Sequence, residues 1–156
     1  MEIHLIAIGT RMPRWVVEGY QEYAKRLPRE CALRLVEVTA APRGKHPDVA
    51  KILRDECLRT LSTIPHGSRA IALDVRGQAW STEQLALQLA GWLRDGKDVA
   101  LLVGGPEGLA PECLARAERR WSLSPLTLPH PLVRVVLAEQ LYRAWSLLSG
   151  HPYHRP

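Results

Sequence analysis

Residues 98–103 read DVALLV, and from Val99 to Val103 the run holds no polar side chain. Side chains of a strand alternate between the two faces of its sheet. A strand that is apolar on both faces has to be covered on both, and the usual cover is helices packed over a parallel sheet. The requirement reaches the whole chain: other segments must flank this strand, and still others must form the two covering layers.

The remaining sequence divides accordingly. Glu2–Gly9 is a short apolar run closed by Gly and reads as a buried strand. Pro13 suits the first turn of a helix, and Val16, Tyr20, Tyr23, Ala24 and Leu27 keep helical spacing until Pro28. Ala32–Thr39 reads as a second strand, and the loop APRGKHPD (41–48) precedes a helix marked by Val49, Ile52, Leu53, Cys57, Leu61 and Ile64. Arg69–Val75 is a third strand. Ser81 and Gln84 form a capping box for a helix that ends at Asp95-Gly96. After the strand 98–103 come a short helix over 111–119, an extended segment Trp121–Leu128, and a long helix Leu132–Ser149. Strand and helix alternate throughout, so the expected fold is α/β, a mostly parallel sheet flanked by helices, in one domain over 1–156.

With 46% hydrophobic and 24% charged residues, the chain is too apolar for a disordered segment. Its net charge of +5 favours a polyanionic partner. Six Arg face two Glu from Leu114 onward, so most of the excess lies in the last third. Cys31, Cys57 and Cys113 form no CxxC pair, which argues against a zinc or redox motif. Three scattered cysteines suit a reducing compartment. The first apolar run is too short for a secretory leader, and no stretch has the length of a membrane span. The expectation is a cytoplasmic protein with no metal and no membrane partner.

In open α/β sheets, ligands bind outside the carboxyl ends of the strands. Three such ends are unusual: LDVRG (73–77), GGPEG (104–108) and SLSPLTLPH (122–130). Gly104, Gly105 and Gly108 let backbone approach a ligand, but they form neither GxGxxG nor a GK[ST] loop. Alone, GGPEG reads as a tight strand-to-helix turn. In the third segment Pro125 removes a ladder donor, leaving an apolar yet irregular stretch whose free backbone groups could read the edge of an adenine. Arg134 falls one helical turn after His130, and Glu139 and Arg143 are spaced to pair. A single His or Arg on a helix is ordinarily structural, but gathered beside a glycine loop these residues read as a site.

At this point the residues carry a resemblance. TLPHPLVRVVLAEQLYRAW followed by PYHR, with GGPEG, LDVRG and the opening IAIGTRMPRWVVEGYQEYAKRLP, resembles the ribosomal RNA large subunit methyltransferase H family of the SPOUT superfamily over essentially the whole chain. The resemblance implies a SPOUT-type fold with a C-terminal trefoil knot. It implies S-adenosylmethionine bound in a bent form, a homodimer, and methylation of N3 of a pseudouridine in 23S rRNA within the assembled ribosome. Carried over by position, Leu73, Gly104 and Leu123, Ser124, Pro125, Leu126, Thr127 and Leu128 correspond to cofactor contacts. Tyr153, His154 and Arg155 match the family's active tail, although Pro156 extends beyond its usual basic ending.

The chemistry narrows the roles. N3 of a uracil-type ring carries a weakly acidic proton that must leave. His154 is the candidate base, Arg155 or Arg134 could stabilise charge on the ring carbonyls, and Tyr153 could stack or donate. His130, Arg134 and Arg143 are the candidate substrate contacts, and Arg43, Lys45 and His46 form either a second contact or a solvated loop. The broad apolar stripe of the last helix, with Tyr142 and Trp145, suits a subunit interface or a core equally. The competing functions are methylation of tRNA on the same fold and a ribosome-associated binding factor without transfer.

Overall fold

The computed structural model describes all 156 residues. Five strands, β1 (Glu2–Ile8), β2 (Ala32–Val38), β3 (Arg69–Ala79), β4 (Val99–Val103) and β5 (Arg119–Ser122), form one sheet in the order β2-β1-β4-β3-β5. Every pairing is parallel. The apolar run thus lies at the centre, and all five of its residues are buried.

The two covering layers follow from strand alternation. Ile3, Leu5 and Ala7 of β1 and Val99, Leu101 and Val103 of β4 face one core. That core is closed by α1 (Arg14–Ala24), α3 (Thr82–Asp95) and α5 (His130–Ser149). Ile6, Ile8, Ala100 and Leu102 face the other side, which carries α2 (Val49–Thr63) and α4 (Pro111–Arg116). Helix α5 packs on both α1 and α3. Its twenty residues span about 30 Å, so its two ends serve different regions. None of the helices is long and apolar enough to cross a membrane.

Local signals explain the boundaries. The Ser81 side chain accepts from Gln84 N–H at 3.1 Å while Gln84 accepts from Ser81 N–H at 2.8 Å, the expected capping box. Asp48 caps α2 by accepting from Lys51 N–H. Gly150 ends α5 in the left-handed region that glycine tolerates.

Three boundaries differ from the sequence reading. The helix expected over 111–119 ends at Arg116, because Arg119 already pairs in β5. β3 does not stop at Val75: after a register break between Leu73 and Gln78 it resumes pairing through Gln78–Trp121 and Ala79–Ser122. The LDVRG motif is therefore a bulge inside the strand. β5 begins at Arg119 and ends at Ser122, short of the segment expected to run to Leu128. Pro125 and Pro129 cannot donate to a ladder, and Ser122 Oγ donates to Ser124 C=O at 3.0 Å, turning the chain away.

Candidate functional site

β4, β3 and β5 are neighbours and parallel, so their carboxyl ends open on one side. There a cleft of about 320 Å³ is lined by the Leu73 bulge, the loop after Val103 and the segment 121–133. That volume lies in the range of small-molecule sites.

The first wall is the bulge. Asp74 Oδ1 accepts from Arg76 N–H at 3.0 Å, which holds the turn at Leu73–Val75. Gly77 lets β5 close on it: a Cβ there would lie 2.6 Å from the Arg120 carbonyl carbon. The second wall is the glycine loop. Gly108 N–H donates to Gly105 C=O at 2.9 Å, and a Cβ on Gly104 would lie 2.4 Å from the Gly108 carbonyl carbon. Only glycine permits that fold-back. Glu107 accepts from Arg43 Nη1 at 2.7 Å, tying this loop to the basic 41–48 loop.

The third wall is the irregular segment. Outside the helices and strands, no backbone–backbone hydrogen bond involves residues 123–128. The Leu126 amide instead donates to Ser124 Oγ at 3.0 Å. Apart from the Ser124 carbonyl, which accepts from Ser122 Oγ, the other backbone groups of 123–128 have no protein partner. Trp121, 2% exposed, forms the base of this wall and stacks on Trp80 at 4.9 Å. Its indole Nε1 and the Nδ1 of His130 are buried without partners. Burial and then the nearby Arg134 hold the His130 imidazole below its ordinary range, partly opposed by Glu56. No Lys or Arg lines the cleft, and Asp74 is its only acidic side chain.

Among the residues singled out from sequence, Leu73, Gly104, Leu123, Ser124, Leu126, Thr127, Leu128 and His130 line this cleft, and Pro125 does not. Arg134 lies beneath it, 1% exposed, donating to Glu37 Oε2 at 2.7 Å and to Gly9 C=O at 2.9 Å. The C-terminal residues sit elsewhere. Tyr153 Oη donates to Glu139 Oε1 at 3.0 Å, and Arg143 donates to that oxygen at 2.6 Å while lying 4.8 Å over the Tyr153 ring. His154 places Nδ1 3.2 Å from Arg143 Nη1 and Nε2 3.3 Å from Glu83. Burial and the Glu139 hydrogen bond push the Tyr153 phenol up to about 12. Arg155 is exposed. Tyr142 is buried and Trp145 half-buried, the two stacked at 5.9 Å, with Tyr153 edge-on to Tyr142 at 4.7 Å.

The sequence reading did not assign Asp74, Val75, Val103, Pro106, Trp121, Pro129 and Val133 individually as lining residues. It also missed Glu56, a buried carboxylate under the glycine loop.

A family profile described as "Predicted SPOUT methyltransferase" matches residues 1–154. The "Ribosomal RNA large subunit methyltransferase H" of Ectopseudomonas mendocina is 61% identical over 155 residues, 99% of this chain and 100% of the relative. A protein of the same name from Pseudomonas putida strain W619 is 60% identical with the same coverage. Among solved structures, a probable methylase family protein from Haemophilus influenzae Rd KW20 superposes with a TM-score of 0.58 at 11% identity, covering 99% of this chain and 70% of that one. A probable methyltransferase from Bordetella pertussis Tohama I gives 0.55 at 17% identity, covering 91% and 95%. At such identities the structural likeness speaks for the fold alone.

Proposed function

The chain belongs to the SPOUT methyltransferase family, and from that premise we propose that it transfers a methyl group from S-adenosylmethionine to N3 of a pseudouridine in 23S rRNA of the large ribosomal subunit. The observation that carries the reading is the cleft itself: unladdered backbone at 123–128 opposite a glycine loop, on a chain about 60% identical along its whole length to rRNA large subunit methyltransferases.

The residues present fit the donor. Free backbone groups at 123–128 suit the edge of an adenine, and the apolar surfaces of Leu73, Val103 and Leu128 suit its faces. The fold-back of Gly108 on Gly104, which any side chain at 104 would break, keeps the loop compact beside the cleft. The absence of Lys and Arg from the lining spares a cation at the reacting centre from repulsion. Bound there, S-adenosylmethionine supplies a methyl group already activated by its positive sulfur. The protein's part is to hold the accepting nitrogen in line with that methyl, and such alignment can lower a barrier by roughly 7–11 kcal/mol.

Tyr153, His154 and Arg155 act in this reading from a second copy of the chain. From His130, at the cleft, to Arg143, which holds His154, α5 rises about 20 Å. Within one chain the tail is thus tied down well away from the cleft, whereas a symmetric dimer could bring one copy's tail to the other's cleft. Trp15 and Val17 on α1, 58% and 43% exposed, offer apolar surface for such a contact. There His154 takes the N3 proton, and Arg155 steadies charge on the ring. In this reading the C-terminal part of the chain forms a trefoil knot around the cleft, as in the family it belongs to. The surplus of basic residues suits rRNA presented by an assembled ribosome in the cytoplasm, with contacts that weaken as salt rises.

The test is nucleoside mapping. Assembled ribosomes from a strain lacking the protein, incubated with it and labelled donor, should gain one methyl group on a pseudouridine of 23S rRNA. Label appearing in tRNA instead, or in neither RNA, overturns the reading.

A further inference from the structure

Glu56 is 3% exposed on α2, a burial that a carboxylate seldom tolerates without partners. One partner is present: Oε2 accepts from the Ala41 amide at 3.1 Å. The other oxygen, Oε1, is buried and has none. The gap beside it holds no room for a water molecule.

Its position relates that orphan to the cleft. Oε1 would lie 3.7 Å from a Cβ on Gly105. Gly105 lines the cleft on one side, and Gly108 borders both the cleft and the gap next to Glu56. The glycine loop lies between the carboxylate and the ligand space, with the Ile8 side chain beside it. A negative charge with no hydrogen-bonded cation, set behind a thin wall of glycine, is complementary to a cation on the other side. No Lys or Arg of the lining competes for it.

We propose that Glu56 is a specificity-determining residue that makes the cleft favour the positively charged methyl donor over the neutral thioether left after transfer. The inference rests on the methyltransferase reading above. In the transfer the nitrogen lone pair forms the new N–C bond, the S–C bond breaks with its electron pair left on sulfur, and the N3 proton passes to the imidazole of His154. Sulfur loses its positive charge and with it the attraction of Glu56. The same carboxylate that holds the donor thereby ceases to hold the product.

Calorimetric titration of the full chain with S-adenosylmethionine and with S-adenosylhomocysteine tests this. Glu56→Gln keeps the size and the acceptor for Ala41 while replacing the partnerless charged oxygen by a neutral NH2 group. It should weaken binding of the donor by about tenfold and of the thioether by less than about twofold. Parallel weakening of both, or of neither, overturns the proposal and leaves the methyltransferase reading standing. Failure of the wild-type protein to bind either ligand overturns both. A ligand-free readout accompanies it: the His130 imidazole, faced by Arg134 of its own helix and by Glu56 of α2, with Asp74 elsewhere in the cleft lining, should titrate lower by NMR in Glu56→Gln. An unchanged titration removes the charge from reach of the cleft. Should Glu56→Gln fail to fold, Glu56→Asp, which keeps the charge but retracts it, should reduce the donor's advantage, and an unchanged ratio overturns the proposal.

Discussion

The Arg134 guanidinium meets the Glu37 carboxylate at 2.7 Å, with the Arg134 side chain 2% exposed and that of Glu37 36%. Sequence alone assigned Arg134 to the substrate. Its guanidinium is instead committed to Glu37 and to the Gly9 carbonyl, binding α5 to the ends of β1 and β2. The unequal burial makes the two halves of the pair unequal. Glu37→Ala strands a buried cation and should cost about 3 kcal/mol, lowering Tm by about 6–12 °C. Arg134→Met removes that cation, frees Glu37 to hydrate, and should cost only about 1 kcal/mol for the unpaired Gly9 carbonyl. Urea midpoints for the two variants decide it, and equal losses would refute the asymmetry.

Tyr20 carries a different kind of buried polar atom. Its hydroxyl has no partner, and burial pushes the phenol up to about 12 despite the nearby Arg134. Tyr153 is also pushed up to about 12, and burial raises the Cys31 thiol to about 11. Each of these groups holds its proton more tightly folded than unfolded. The stability linked to them is therefore complete below their ordinary values and is lost as pH rises through about 9 to 12. Denaturant midpoints should fall over that window. Tyr20→Phe should flatten part of the fall, and at pH 7 it should be neutral or stabilising by up to about 1 kcal/mol.

Glycines inside and outside the cleft divide by what surrounds them. At Gly104 an added Cβ meets Gly108 backbone at 2.4 Å, whereas at Gly67, with φ +79, it meets nothing. Gly67→Ala should cost about 1 kcal/mol of stability through backbone strain and leave donor binding intact. Gly104→Ala has to open the 104–108 turn and should abolish measurable binding of S-adenosylmethionine. Calorimetry on both variants, with circular dichroism to confirm folding, separates a cradle from a general need for glycine.

Much of this architecture was legible because it rests on local rules. The apolar run at Val99–Val103 demanded two covering layers, and the Ser81–Gln84 box and the Glu139–Arg143 pair follow from helical spacing. The rest depends on partners distant in sequence. β3 continues past Leu73 only because Trp121 and Ser122 pair with Gln78 and Ala79. Arg134 is structural only because Glu37 and Gly9 reach it. Glu56 did leave a trace: it stands one turn after Ile52, on the buried face of α2. A carboxylate there breaks the apolar stripe, and that irregularity was the available signal.

The tail offers the last test, because its position makes an arithmetical demand. Tyr153 is held through Glu139, and His154 lies beside Arg143 and Glu83, none of which lines the cleft. If each cleft is completed by the other subunit, a cleft lesion and a tail lesion should complement. Gly104→Ala leaves its tail intact, and His154→Ala leaves its cleft intact. Coexpressed at equal levels, half of the symmetric pairs are mixed, and each mixed pair holds one whole site out of two. Methylation of assembled ribosomes should therefore return to about a quarter of the wild-type rate, although each variant alone is inactive. If the tail served its own cleft, the mixed pair would contain no whole site and the coexpressed protein would stay inactive. Should His154→Ala alone keep the wild-type single-turnover rate and pH profile, His154 has no part in removing the N3 proton.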